Sequence, residues 1–289
     1  YNFAEQPMVP EPPKQLDPPP SKDEKLLELT TIYKDLNLKN CHEIFSDALA
    51  LREEFLQRFV QGNISIEERA YAERALKFLF TRINTLKADL KVVPEDFDVL
   101  EGMLKDTYFC NFSVFQSLLD HWAIEQLFPI MPIHRLQTSP TRKAVIADLT
   151  CDSDGKIDKF IDLRSVRRYI DLHPYQGDQP YYLGIFLVGA YQECLGNLHN
   201  LFGDTNAVHV EMDETGQPRI TSIVEGDTMR EVLGYVQYTG EDLLCGINDS
   251  IDHALRRGSM TAEESARFVQ RYKESLGGYT YLLWESPNK

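Results

Sequence analysis

The sequence has few positive charges for its size. Among its 289 residues, 30 Lys and Arg stand against 45 Asp and Glu, giving a formal net charge of −15. Binding to nucleic acid or to an anionic membrane depends on clustered Lys and Arg, so neither is expected as a partner. A bilayer-spanning helix needs about 18 or more consecutive apolar residues, and the sequence has no such run. Hydrophobic residues at 43% and charged residues at 26% are ordinary proportions for a globular protein.

Paired cysteines and known ligand-binding motifs are also absent. The five cysteines are widely spaced and form no Cys-x-x-Cys pair: Cys41, Cys110, Cys151, Cys194 and Cys245. This spacing excludes a disulfide framework and a zinc site, and it favours reduced thiols in a cytoplasmic protein. The seven histidines show no metal-ligand spacing, and the glycine-rich cradles of dinucleotide and triphosphate enzymes are missing. No residue is therefore assigned to a metal.

Proline opens the chain and helical patterns follow. Residues 1–20 hold seven of the 15 prolines, which predicts an extended linker. Apolar residues then recur at helical spacing, and helix-capping boxes are predicted at Ser21–Glu24 and Ser65–Glu68. Residues 21–106 are therefore predicted to form an antiparallel helical bundle.

The pattern changes after residue 106. Residues 107–226 contain short apolar runs bounded by turn residues, which predict an antiparallel β domain with a hairpin at 213–216. The predicted strands are Tyr108–Phe115, Leu127–Ile133, Ala144–Thr150, Tyr181–Val188, Ala207–Met212 and Arg219–Glu225. Residues 227–289 return to helical spacing, with a capping box at Thr261–Glu264 and a final apolar stretch at Tyr279–Trp284. The predicted fold class is α+β, with a helical bundle before the β domain and a helical C-terminal tail.

A polar turn, Thr150–Gly155, directly follows one predicted strand and places Cys151 beside Asp152 and Asp154. A thiol at the rim of a sheet can donate a proton, and a carboxylate can pair with a cationic substrate group. A calcium loop is excluded because Ile161 stands where the bidentate Glu belongs. A simple turn built on Asp side chains remains an equal alternative.

A second motif, Gly189-Ala190-Tyr191, ends another predicted strand about 40 residues later, and Asn200 follows Tyr191 by nine residues. Gly-Ala allows close approach of the backbone to another group, and a phenol can donate to a phosphate. Alone, this motif is weak, because buried tyrosines at strand ends are common.

Together, the two motifs resemble the C-terminal domain of fold-type III pyridoxal-phosphate decarboxylases. That family includes ornithine, diaminopimelate and arginine decarboxylases and shares the alanine racemase fold. Longer segments look like the biosynthetic arginine decarboxylases: Asn111–Ser117, Gln126–Pro129, Cys151–Gly155, Phe186–Glu193, His199–Thr205 and Glu225–Thr228. The resemblance is strong over residues 107–285 and looser over 21–105, which look like the helical insertion of this subfamily.

The resemblance implies roles for five residues. Cys151 would be catalytic and return a proton to Cα, and Asp152 would bind the guanidinium group of arginine. Asp154 would share that group or only shape the turn. Tyr191 would contact the phosphate of pyridoxal 5'-phosphate, and Asn200 would lie near the cofactor with its role left open.

The resemblance also implies parts that the sequence lacks. The cofactor lysine of the family lies on a β/α barrel, and this sequence shows no βαβ succession. It also begins at Tyr1 without Met. We therefore expect a C-terminal portion that is inactive alone and is completed by an N-terminal barrel and by a second subunit of a homo-oligomer. Magnesium is implied only by the family. A regulatory or scaffold module of the same fold, or part of a related ornithine or diaminopimelate decarboxylase, remains the alternative.

Overall fold

The computed structural model describes residues 11–163, 165–175 and 179–283 of the chain. The first ten residues of the predicted linker, with Pro7 and Pro10, lie outside this range, as does Trp284 of the last apolar stretch. Among the described residues, no helix is both long and apolar enough to cross a membrane.

Four helices form the predicted bundle. They are α1 (Glu24–Asp35), α2 (Cys41–Val60), α3 (Ile66–Lys87) and α4 (Asp98–Met103), the last preceded by a 3-10 turn at Glu95–Phe97. Their apolar faces meet in one core, at whose centre Phe45 packs edge-to-face against Phe80 and Phe97 with ring centroids 5.8 and 5.1 Å apart. The helical prediction for this region is confirmed.

The first helix begins differently from the prediction. Asp23, not Ser21, caps α1, and its Oδ1 accepts from the backbone N–H groups of Lys25 and Leu26 at 3.0 and 3.2 Å. Arg58 of α2 donates to both carboxylate oxygens of Asp23 at 3.1 and 2.5 Å, which holds that side chain at the helix end. The predicted Ser21–Glu24 box is therefore wrong, whereas the Ser65–Glu68 box is formed.

The described part of the proline-rich segment follows the surface of the bundle. Leu16 is buried in the bundle core, the Tyr71 hydroxyl donates to the Asp17 carbonyl at 2.7 Å, and the Tyr33 hydroxyl donates to the Pro13 carbonyl. Residues 11–20 are thus anchored by one apolar side chain and by backbone carbonyls.

Among the described residues between the bundle and Thr228, the structure has ten short strands and three short helices. The strands are β1 (Asp106–Phe109), β2 (Ile130–Pro132), β3 (Arg142–Ala147), β4 (Lys156–Ile157), β5 (Phe160–Ile161), β6 (Val166–Arg167), β7 (Ile170–Leu172), β8 (Leu183–Ile185), β9 (Ala207–Met212) and β10 (Pro218–Val224). The helices are α5 (Val114–Ser117), α6 (Leu119–Ile124) and α7 (Ala190–Cys194). A second, smaller core underlies β1, β3, β4 and β7.

The sheets are mostly antiparallel, as predicted, with one exception. In the four-stranded sheet β3 pairs antiparallel with β4 and β7, but β1 pairs parallel with β3, with Asp106 opposite Ala144. The connection between β1 and β3 carries α5, α6 and β2, which is long enough for the crossover that a parallel pair needs. Three two-stranded sheets pair β2 with β8, β5 with β6, and β9 with β10.

Three predicted strands end at least three residues early. The run Ala144–Thr150 is a strand only to Ala147, where β3 ends. The run Tyr108–Phe115 is extended only to Phe109, because Ser113 caps α5 and accepts from the Gln116 N–H at 3.3 Å. The run Tyr181–Val188 is a strand only at β8, since Gly189 already lies at the N-cap of α7. The predicted β9–β10 hairpin is confirmed, and the Asp213 carboxylate holds its turn by accepting from Thr215 and Gln217.

Three helices close the described chain: α8 (Met229–Tyr235), α9 (Gly240–Arg256) and α10 (Ala262–Leu276). Capping boxes begin α8 at Thr228 and α10 at Thr261, and the second of these was predicted. The final segment returns to the β region, where the Tyr281 hydroxyl donates to the Gly203 carbonyl at 2.8 Å and Asn111 donates to the Leu282 carbonyl at 2.8 Å.

Candidate functional site

The Thr150–Gly155 turn is built on a buried carboxylate. Asp148 follows β3 and is almost fully buried. Its Oδ1 accepts from both the backbone N–H and the hydroxyl of Thr150 at 2.8 and 2.7 Å, and its Oδ2 accepts from the Val114 N–H at 2.8 Å. Three hydrogen bonds compensate for burying the carboxylate, and they fix the turn to the start of α5.

Gly155 closes the same turn, and no larger residue fits there. A Cβ at this position would lie 2.2 Å from Asp148 Oδ1 and 2.5 Å from Thr150 Oγ1. The absence of a side chain lets the Gly155 carbonyl accept from the Asp148 N–H at 2.8 Å. The turn therefore has one tightly determined path, which presents Cys151 and Asp152 at its exposed tip.

Cys151 is exposed and touches Asn200. The Cys151 backbone N–H donates to Asn200 Oδ1 at 2.9 Å, and Asn200 Nδ2 donates to the Cys151 sulfur at 3.4 Å. The structure thus brings together two of the predicted residues that are 49 positions apart in the chain. Asn200 was expected near the cofactor, and both polar atoms of its side chain face Cys151.

The two aspartates of the turn differ in their contacts. Asp152 Oδ1 accepts from the Asp154 N–H at 2.9 Å, which is the Asp-based turn that remained an alternative. Asp154 Oδ2 accepts from the indole N–H of Trp122 at 3.3 Å. Asp154 is therefore directed at α6, whereas Asp152 keeps its second oxygen without a hydrogen bond among the described residues.

Tyr191 lies in the first turn of α7, and three quarters of its surface is exposed. The next residue, Gln192, is buried and anchors the helix: its Nε2 donates to Asp120 Oδ2 at 2.5 Å, and its Oε1 accepts from the Asp120 N–H at 3.0 Å. Asp120 belongs to α6, the helix whose Trp122 reaches Asp154. Helix α6 therefore links Tyr191 to the Cys151 turn, and the side chains of Tyr191 and Cys151 are both exposed to solvent.

Aromatic packing supports the same surface. Phe115 of α5 packs edge-to-face on Trp122 with centroids 5.4 Å apart, and His199 lies on Phe115 at 4.8 Å. His199 directly precedes Asn200. These ring contacts therefore support Trp122, which donates to Asp154, and Asn200, which contacts Cys151.

A separate cavity of about 930 Å³ lies beside the candidate site. Its walls include Tyr108, Cys110 and Gln192, but not Cys151, Asp152, Tyr191 or Asn200. Burial raises the pKa of the Cys110 thiol to about 11, and burial together with nearby Asp106 raises that of the Tyr108 phenol to about 12. Both groups stay protonated at neutral pH, so the Cys110 thiol lacks the thiolate that reactivity requires.

Within residues 11–163, 165–175 and 179–283, no group of three or more His, Cys, Asp or Glu side chains could hold a metal ion.

Sequence reasoning missed two contributors to the site. Asp148 was not selected, although a polar residue at the end of an apolar strand is a recognisable signal for a turn anchor. Trp122 was also not selected, because its contact with Asp154 spans 32 residues and has no local signal. Both act through the turn, because Asp148 accepts from Thr150 and Trp122 donates to Asp154.

Two family models match separate parts of the chain. The one described as the arginine decarboxylase helical bundle domain matches residues 19–101, and the one described as the arginine decarboxylase C-terminal helical extension matches residues 229–282.

Curated relatives cover the remainder as well. Biosynthetic arginine decarboxylases are 48% identical in Nostoc sp. over 273 residues, 49% in Gloeobacter violaceus over 273 and 46% in Bacteroides thetaiotaomicron over 263. These alignments cover 94%, 92% and 91% of this chain, but only 39%, 42% and 42% of the relatives. The chain therefore spans about two fifths of the length of the relatives that it matches.

The crystal structure of the biosynthetic arginine decarboxylase SpeA from Campylobacter jejuni is similar in fold. It superposes with a TM-score of 0.78 at 28% identity, covering 95% of this chain and 43% of that one. Sequence and fold therefore agree along nearly the whole chain. The chain is a homologue of part of the biosynthetic arginine decarboxylases, and it contains their helical bundle domain and their C-terminal helical extension.

Proposed function

We propose that this chain is the C-terminal part of a pyridoxal-phosphate-dependent arginine decarboxylase, which converts L-arginine to agmatine and carbon dioxide for polyamine biosynthesis. The observation that carries this proposal is the exposed Cys151 thiol beside Asp152 on a rigid turn, in a chain 48% identical to a biosynthetic arginine decarboxylase. An exposed thiol and a carboxylate with a free oxygen serve proton transfer and cation binding.

Cys151 is the proposed proton donor. When arginine loses its carboxyl group, the bond from Cα to that carbon breaks and its electron pair remains on the substrate. Pyridoxal 5'-phosphate, when bound, delocalises that charge. The Cys151 S–H then gives its proton to Cα, which forms the new C–H bond of agmatine and leaves a thiolate. Solvent restores the proton to sulfur, and the exposed position of Cys151 allows this exchange.

Asp152 is the proposed contact for the guanidinium group. A carboxylate accepts two parallel N–H bonds from a guanidinium, a geometry that the point charge of an ornithine ammonium does not reproduce. Asp152 remains available because Oδ2 takes no part in the turn, and Oδ1, which accepts from the Asp154 N–H, can accept a second bond. Asp154, turned toward Trp122, is proposed to shape the turn.

Tyr191 is the proposed contact for the cofactor phosphate. Its phenol is exposed at the start of α7, and a hydroxyl there can donate to a phosphate oxygen. Asn200 lies beside Cys151, so it stands at the same edge of the proposed site.

The cofactor lysine is proposed to lie on a barrel outside this chain. The lysines closest in sequence to the Cys151 turn are Lys156 and Lys159, which form ion pairs with Asp158 at 3.8 Å and Glu125 at 2.7 Å. Both lysines are therefore paired with carboxylates of this chain, and the coverage of two fifths of the relatives leaves room for a barrel.

The same proposal includes the assembly. The barrel portion of the enzyme and a second subunit complete the site, in a cytoplasmic homo-oligomer for which a dimer of dimers is one arrangement. Magnesium is carried only as a property of the family, and no described residue is assigned to it.

Carbon dioxide release tests the proposal. This chain is purified alone and also together with a barrel portion taken from a relative, and labelled arginine, ornithine and diaminopimelate are supplied in turn. The chain alone should show neither the visible absorbance of the cofactor nor activity, and the combined protein should release carbon dioxide from arginine.

Two exposed cysteines provide matched variants. Cys151→Ala should slow proton delivery by a factor of about 100 to 10,000, the usual contribution of one proton-transfer group, while Cys245→Ala on α9 should leave activity unchanged. A preference for ornithine would assign the chain to a related decarboxylase. A combined protein that binds cofactor but never releases carbon dioxide would favour a regulatory or scaffold module.

A further inference from the structure

We infer that Asn200 is a positioning residue for Cys151, which aims the thiol and stabilises the thiolate that remains after proton donation. The chemical role of the thiol rests on the proposed function. The pairing of the two side chains rests only on the geometry of this chain.

The two contacts fix the orientation of the Asn200 amide. A backbone N–H can only donate, so the atom of Asn200 that lies 2.9 Å from the Cys151 nitrogen must be the carbonyl oxygen Oδ1. The NH2 group is then directed at the Cys151 sulfur, 3.4 Å away. The amide therefore meets one residue at two points, the backbone and the side chain.

The backbone around Asn200 is adapted to this contact. Asn200 has φ 57° and ψ 21°, in the left-handed region that Asn tolerates better than most residues with a side chain. Leu201 follows with φ 59°, and its N–H donates to the Leu198 carbonyl at 2.7 Å. The packing of His199 on Phe115 supports this turn. The left-handed backbone of Asn200, which most residues adopt only with strain, therefore places the side-chain amide of Asn200 against Cys151.

The N–H directed at sulfur has a chemical consequence. A hydrogen bond to sulfur is stronger when sulfur carries the negative charge, so the Asn200 NH2 group favours the thiolate over the thiol. In the proposed reaction the thiolate forms when the proton leaves for Cα. Asn200 therefore favours proton donation while its Oδ1 keeps the Cys151 backbone, and with it the thiol, in place.

Two substitutions separate these effects. Asn200→Asp keeps the acceptor for the Cys151 N–H and the shape of the side chain, but it places a negative oxygen against the sulfur. Asn200→Gly keeps the left-handed backbone at no steric cost and removes both contacts. The matched control is Asn206→Asp, because Asn206 Oδ1 likewise accepts a backbone N–H, that of Gly226 at 2.8 Å.

Alkylation of Cys151 is the measurement. The chain is treated with iodoacetamide across a range of pH, and modification of the Cys151 peptide is followed by mass spectrometry, because only the thiolate reacts. Asn200→Asp should raise the midpoint of the rate profile by about half a pH unit or more, which corresponds to a roughly threefold slower reaction at neutral pH. Asn200→Gly should raise it by less, and Asn206→Asp should leave it unchanged.

The outcomes are decisive without any assay of activity. A profile for Asn200→Asp that coincides with that of the unchanged chain would overturn the inference, as would an equal shift in Asn206→Asp. Circular dichroism of each variant shows whether it is folded, and if Asn200→Asp is unfolded, Asn200→Gly decides by the same criterion. Since the experiment needs neither cofactor nor barrel, absence of carbon dioxide release would defeat the proposed function but not the pairing.

Discussion

The helical bundle and the β region differ in where their reactive and apolar side chains lie. In the bundle, twenty buried residues form one core, and Phe45, Phe55 and Phe97 are completely buried. In the β region, Cys151 and Tyr191 are exposed, and the β9–β10 hairpin exposes a series of apolar side chains: Val208, Val210, Met212, Ile220 and Ile223.

The difference indicates that the bundle and the β region have different roles. The bundle buries its apolar side chains within the chain, so it is expected to provide much of the free energy of folding. The β region leaves Cys151, Tyr191 and the apolar side chains of one hairpin exposed. Sizeable exposed apolar patches are uncommon on protein surfaces that contact only water. This fits the proposal that further protein completes the site, and each part of the comparison can be tested by substitution.

The largest effect is expected at the centre of the bundle. Phe45→Ala removes a fully buried ring that packs on Phe80 and Phe97, and it leaves a cavity behind. We expect a loss of about 3 to 5 kcal/mol in the free energy of unfolding, measured by urea titration with circular dichroism. Leu27→Ala on the exposed side of α1 is the control and should change the value by less than about 1 kcal/mol. Equal losses for the two would contradict a single dominant core.

A smaller effect is expected at the Cys151 turn. Gly155→Ala forces a methyl group against Asp148 and Thr150, at a position where a Cβ would lie 2.2 Å from a carboxylate oxygen. We expect a loss of about 2 to 3 kcal/mol in unfolding free energy and a changed alkylation rate of Cys151, because the turn must shift.

The matched glycine lies in a helix. A Cβ on Gly246, inside α9, would meet nothing within 4 Å, so Gly246→Ala should stabilise the chain by about 0.5 to 1 kcal/mol. If Gly155→Ala were equally harmless, the turn would be looser than its contacts indicate.

The third effect concerns the ion pair that caps the bundle. Asp23→Ala removes both the helix cap and the Arg58 partner and should cost about 2 kcal/mol, whereas Asp23→Asn keeps the cap and should cost about 1 kcal/mol. Urea titration of both variants beside the unchanged chain provides the comparison. An Asp23→Asn variant as stable as the unchanged chain would show that the Arg58 pair contributes nothing beyond the cap.

The same pair predicts a dependence on pH. Hydrogen bonding from Arg58 holds the pKa of Asp23 below its ordinary value of 3.8. Because the folded pKa is the lower one, the stabilisation is fully present above about pH 4 and is lost as the pH falls through the folded pKa. The gap in unfolding free energy between the unchanged chain and Asp23→Asn should therefore narrow at acid pH. A gap that stays constant down to pH 2 would contradict the assignment.

Local features were predictable from the sequence, whereas long-range ones were not. The Ser65–Glu68 and Thr261–Glu264 caps and the β9–β10 hairpin depend on residues within a few positions of each other, and all are formed. The cap of α1 was misassigned because Arg58, 35 positions away, favours Asp23 over Ser21. The parallel β1–β3 pair was missed for the same reason, since its partners are far apart in the chain.

The candidate site follows the same rule. The turn around Cys151 was recognisable because its residues are consecutive, but the contact of Cys151 with Asn200 crosses 49 positions. Spacing related Asn200 to Tyr191, whereas folding places its side chain against the thiol. The indole of Trp122 had no local signal at all, because only the fold brings α6 to Asp154.

The smallest change in unfolding free energy is expected in the β9–β10 hairpin, whose apolar side chains are exposed, unlike those of the bundle core. Ile220 is 60% exposed opposite Val210, so Ile220→Thr keeps a β-branched residue suited to a strand and should change the unfolding free energy by less than about 0.5 kcal/mol. The same kind of change at Val232, fully buried in α8, places a hydroxyl in an apolar site and should cost about 1 to 3 kcal/mol. Ile220→Thr should nevertheless lower the binding of a hydrophobic dye to the folded chain, since it removes exposed apolar surface. A large loss of stability would show that the hairpin is packed within this chain, and the contrast with the bundle would fail.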